Sequence, residues 1–161
     1  MTKGIIAVGA ALALGLVGVV AVQQEDRPTV DAKLTGEILP VIDDALQQGP
    51  WSVQDGRWFC AEHVIEVRPA GDGLKVGLQT RCDAYAADLH EVGGQVSPVV
   101  VALAKEPYRV IRIERAQDGA AAGPWLRSNF SSAGAREVDR WDHGPLGEQV
   151  KNEAREAYQK R

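Results

Sequence analysis

Two cysteines and three histidines are the residues whose chemistry would stand out in this chain. Cys60 and Cys82 are the only thiols, and an isolated even pair in an oxidising compartment reads as one disulfide. Together with His63 and His90 they would make four zinc ligands, but the spacing fits no finger pattern. A reactive Cys60 beside His63 would require Cys82 to stay reduced. The acids near the histidines add little. Glu62 and His63 are neighbours on an expected strand, where successive side chains face opposite ways. Asp88, His90 and Glu91 fall in a polar stretch, and Asp139, Asp142 and His143 read as the capping turn of a following helix. Ser128, Ser131 and Ser132 have no base at a fixed spacing, and no nucleophile elbow, zinc-protease helix, phosphate loop or dinucleotide fingerprint occurs. The sequence therefore implies no catalytic residue, no cofactor and no metal.

The disulfide depends on the elements that carry it. Residues 57–68 and 74–82 read as strands, with turn chemistry between them in Pro69-Ala70-Gly71-Asp72-Gly73. A hairpin centred on Gly71 sets Cys60 opposite Cys82. Apolar matching favours a different register, with Val67 against Leu74, Ile65 against Val76 and Glu66 against Lys75. One bulged residue between Cys60 and Val64 would satisfy both demands, so either that bulge or a cysteine just off the ladder is expected.

Around this hairpin, residues 31–48 place Leu34, Ile38, Val41 or Ile42, and Ala45 on one helical face, with Pro40 inside the run as an expected kink or second start. Residues 83–94 read as loop. Residues 98–105 and 108–116 read as a second hairpin, the latter with Ile111 and Ile113 on one face and Val110, Arg112 and Glu114 on the other. Residues 117–123 form a connection, and Trp125, Phe130 and Trp141 suggest that 124–142 packs on the sheet. Residues 145–160 read as an amphipathic helix with Leu146, Val150, Ala154 and Ala157 along one side.

The amino-terminal part indicates where all this operates. Gly4–Val22 is an uncharged run of nineteen residues behind Lys3. As a helix it is about 28 Å long, enough to cross a bilayer. Lys3 before it and Gln23-Gln24-Glu25-Asp26 after it orient residues 1–3 to the cytoplasm, 23–30 as an acidic linker and 31–161 as an external domain. Retention as a signal-anchor is expected, with cleavage after Ala21 as the alternative. Residues 23–55 carry a net charge of −5, whereas the body from Gly56 onward holds fifteen charges of each sign. That balance excludes the basic excess of a nucleic-acid binder.

The expected fold is α+β: one helix, a four-stranded antiparallel sheet made of two hairpins, and a terminal helix. The element order is similar to that of cystatin-like and nuclear-transport-factor-like domains, in which a helix lies across a curved antiparallel sheet. This similarity is one of order alone and brings no site residue with it. The functional expectation is a single-pass protein whose partners are the lipid bilayer, through residues 4–22, and envelope proteins, through an apolar patch at Leu146 and Val150. A small-ligand domain with a pocket lined by Trp58, Tyr85 or Tyr108 is the alternative, with an extracytoplasmic hydrolase behind it.

Overall fold

The computed structural model describes residues 30–48 and 56–160. Among them are four α-helices and one four-stranded antiparallel sheet, so the α+β class is correct. The order is α1 (Ala32–Gln47), β1 (Arg57–Ala70), β2 (Gly73–Tyr85), β3 (Glu91–Ala104), β4 (Arg109–Arg115), α2 (Ala122–Asn129), α3 (Ser132–Arg140) and α4 (Gly144–Gln159). The strands lie in the sequential order β1-β2-β3-β4. The proposed membrane run 4–22 lies outside the described residues, and no helix among the described ones is long and apolar enough to cross a membrane.

Asp31 starts α1, its carboxylate accepting from the Leu34 amide at 2.8 Å. Ile38, Ile42 and Leu46, spaced by four, are the buried stripe of this helix. Pro40 sits within a single continuous helix, contrary to a second start at that position. It is exposed, so the carbonyl that lacks its usual proline N–H partner can turn to water. The stripe packs on Cys60, Leu74, Val76, Leu78, Cys82, Val99, Val101 and Leu103, one face of the sheet. The opposite face is covered by two further apolar clusters. Leu146, Val150 and Ala154 of α4 meet Phe59, Ala61 and Tyr85, while Phe130 and Val138 meet Ile65 and Val100. Helices on both faces make three layers.

The β1–β2 register corrects the sequence expectation in an instructive way. Cys60 does face Cys82, but the turn is the two-residue Gly71-Asp72 closed by the pair Ala70 and Gly73, not a loop centred on Gly71. Gly71 takes φ 54°, which suits glycine. The single bulge lies at Ile65, between Val64 and Glu66, rather than between Cys60 and Val64. Beyond it Val67 pairs with Val76 and Glu66 with Gly77. Gly77 is needed there: a Cβ would lie 2.5 Å from Phe130 Cε1. The shift keeps the cysteines together and still turns Val67 and Val76 toward α1.

Residues 83–94, expected as loop, are largely strand: β2 runs to Tyr85 and β3 begins at Glu91. In β4 a bulge between the partners of Ala102 and Leu103 puts Val110 and Ile113 in the α1 core and leaves Ile111 exposed, so the two isoleucines do not share a face. The segment 124–142 forms α2 and α3 and packs on the sheet through Phe130 and Val138.

Candidate functional site: sheet edges and their clefts

Cys60 and Cys82 form a disulfide between directly paired residues, with Cα atoms 4.0 Å apart, and both are buried beneath α1. Among the described residues no three His, Cys, Asp or Glu side chains converge as metal ligands. His63 stacks on Trp141 with ring centroids 4.8 Å apart, and Trp141 meets His143 edge-on at 5.5 Å. The Gln79 amide reaches His143 Nδ1 at 3.3 Å. His90 sits apart, its amide donating to Asp88 Oδ1. Asp142 Oδ1 accepts from the Gly144 amide at the start of α4.

Trp58, Tyr85 and Tyr108 do not come together. Trp58 and Tyr108 flank the α1 core, whereas Tyr85, paired with Arg57, belongs to the α4 core on the other face. Ile38, Ile42 and Leu46 fill the centre of the space between α1 and the sheet, and none of the three aromatic residues lines the hollow left beside β1. Leu146 and Val150 are buried against the chain's own Phe59, Ala61 and Tyr85. The apolar side of α4 is therefore core, and its amphipathic pattern records docking on its own sheet.

What remains accessible lies at the sheet edges, and the edges differ. The outer side of β1 is flanked by α1 and α4. Between β1 and α1 is a hollow of about 350 Å3 lined by Val30, Thr35, Leu39, Glu62, His63 and Val64. A neighbouring hollow of about 300 Å3, reaching α4, shares Leu39 and Glu62 and adds Asp43 and Glu153. Glu62 Oε1 is buried with no hydrogen-bond partner among the described residues. Burial first, then the charges of Asp43 and Glu153, push the Glu62 carboxyl up to about 8. Asp43 and Glu153 are raised as well, each chiefly by burial, with Asp44 acting further on Asp43 and with Asp43 and Glu156 acting on Glu153.

The edge at β3 is of another kind. β4 pairs only with Val99–Ala104, and the Ala116 amide donates to the Pro98 carbonyl. Among the described residues no strand pairs with residues 91–97 on that side. Val92 and Val96 are each 41% exposed there, two of the three large hydrophobics that face solvent among the described residues. Gly93 and Gly94 lie between them. Sequence reasoning missed this strand because the glycine pair interrupts the alternation of Val92, Val96 and Ser97.

Comparison with family models, curated proteins and solved structures finds no match to this chain.

Proposed function

We propose that this chain is a single-pass, membrane-tethered external domain that holds an envelope protein by adding a strand of that partner to residues 91–97 of β3. The observation that carries the reading is the contrast between the sheet edges. Natural sheets blunt free edges with bulges, charges, proline or a covering element. β1 carries a bulge and Pro69 and is flanked by two helices. β4 is short, bulged and charged at Arg109, Arg112 and Arg115. The free part of β3 is bulged at Val92 and charged at Glu91, but from Gly93 to Ser97 it has none of these, and its glycines permit close approach of another backbone.

Location supports the same reading. The uncharged run 4–22 behind Lys3 has the length and flanking charge of a signal-anchor. A buried disulfide belongs to an oxidising compartment. Tethering raises the local concentration of a weak partner at the membrane surface, which suits main-chain pairing over a short edge.

The test is site-specific photocrosslinking from Gln95 of the full-length chain in its own membranes. A discrete partner adduct is expected, lost when Val92 and Val96 are both replaced by lysine. Adducts of unchanged yield in that double variant, or a full-length chain that alkaline washing removes from the membrane, would overturn the reading.

A further inference from the structure

Across the sheet, Arg68 of β1, Lys75 of β2, Ala102 of β3 and Arg112 of β4 form one transverse row, each paired directly with the next. Directly paired residues point to the same face, so three cations share the side on which α2 lies. Two of them are matched by an acid on their own strand. Arg68 Nε meets Glu66 Oε1 at 3.0 Å, and Arg112 Nη2 meets Glu114 Oε1 at 2.6 Å. Lys75, between them, makes no ion pair among the described residues; its ammonium donates to Asn129 Oδ1 at 3.0 Å.

Ala102 gives this row its shape. Neighbouring strands lie about 4.8 Å apart, so Lys75 and Arg112 are separated by about 10 Å of sheet whose middle residue is only a methyl group. The result is a hollow of about 350 Å3 with Val100 and Ala102 as its floor and Lys75, Arg112 and Asn129 at its rim. Three cations against Glu66 and Glu114 leave one positive charge without a counterpart. Burial, followed by the neighbouring Arg68, holds the Lys75 ammonium below its ordinary value, Glu114 and Glu66 opposing and Arg112 reinforcing this. An anion placed on Lys75 would relieve both the desolvation and the repulsion.

We propose that this hollow binds a small monocarboxylate with a short apolar body, its oxygens on Lys75 and Arg112 and its hydrocarbon on Val100 and Ala102. The single uncompensated charge suits a monoanion, and Glu114 at the rim opposes a phosphate dianion. The apolar floor gives the body of the ligand a surface to cover.

The probe is hexanoate, titrated into the full-length chain in detergent micelles and followed by amide NMR signals, with hexanol and inorganic phosphate as comparison arms. Saturable shifts at Lys75, Ala102 and Arg112 are expected with hexanoate. Arg112→Gln, whose side chain is exposed in the wild type, is expected to weaken binding about tenfold, the loss typical of a charge-assisted hydrogen bond. Lys75→Met, read beside its unfolding midpoint, is expected to weaken it at least as much. Binding that both variants leave unchanged, hexanol that matches hexanoate, phosphate that binds more tightly, or no saturable shift at all would each overturn the proposal.

Discussion

The Ser131 hydroxyl caps α3 and in the same position donates to the buried carboxylate of Glu66 on β1. It accepts from the Gly134 amide at 3.0 Å, while the Ser131 amide itself donates to Glu66 Oε1 at 3.0 Å. With Arg68 Nε also on that carboxylate, a charge that is only 3% exposed is satisfied from two sides. A carboxylate at a helix amino terminus is favoured by the helix dipole as well. This contact ties the second half of the chain to the first strand of the sheet.

Removing the hydroxyl should therefore cost more than an ordinary cap. Ser131→Ala loses the cap and one hydrogen bond to a buried charge, about 2 kcal/mol in total. Urea denaturation should show a lower midpoint at an unchanged slope.

Gly77→Ala adds a methyl group where Phe130 Cε1 is 2.5 Å and Glu66 Cγ 3.2 Å away. Phe130 is held by Trp125, Ile65, Val100 and Val138 and has little freedom to withdraw. Overpacking of this kind costs about 1–3 kcal/mol, and the thermal midpoint should fall accordingly.

Stability should decline as pH rises toward 8. In the unfolded chain Glu62 ionises near the usual carboxylate value of about 4.3. In the folded protein its proton is held until about 8. Between these values the folded state binds the additional proton, so raising the pH disfavours it, with a slope of up to about 1.4 kcal/mol per pH unit. Asp43 and Glu153, also raised, act in the same sense. His63, lowered by burial with Glu137 partly opposing, acts in the opposite sense below about pH 6.5, because acid protonates it in the unfolded chain first. Denaturation of wild type and Glu62→Gln from pH 5 to 9 separates these: the variant should lose most of the alkaline decline and be the more stable protein at pH 8.

Reduction should be slow and costly. The sulfurs of Cys60 and Cys82 lie beneath α1, and the bridge closes a loop with a sequence separation of 22. In the chain-entropy model that loop contributes about 3 kcal/mol. Native protein should resist dithiothreitol that readily reduces it in denaturant, and the Cys60→Ala, Cys82→Ala double variant should lose about that much stability.

The amphipathic pattern of residues 31–48 and 145–160 identified α1 and α4, since spacing by four leaves a stripe that only a core can cover. The cysteine pairing followed from the isolated even pair and a hairpin placed near Gly71, against the register that apolar matching favoured. The bulge was legible as a necessity but not as a place, because its position depends on Phe130, more than fifty residues further on, packing over Gly77. α2 and α3 were obscure because neither has a long apolar period; Phe130 and Val138 do most of their burying. The clefts were less legible still. Asp43, Glu62 and Glu153 come from three elements, and the row through Arg68, Lys75 and Arg112 exists only once the registers of all three ladders are known. Short-range spacing holds no record of either.

Helices on both faces leave β2 without a solvent side. Every residue from Val76 to Thr80 is buried, and from Leu74 to Tyr85 only Lys75 and Arg81 are less than fully so. β4 has no buried residue at all. The sheet thus divides into a strand that cannot drift and one that can. Substitutions should be tolerated structurally at the exposed Arg109, Ile111 and Arg112 of β4, where new specificities can be tried at small risk, less so at Val110 and Ile113, which pack on the α1 core, and be rejected almost everywhere along β2.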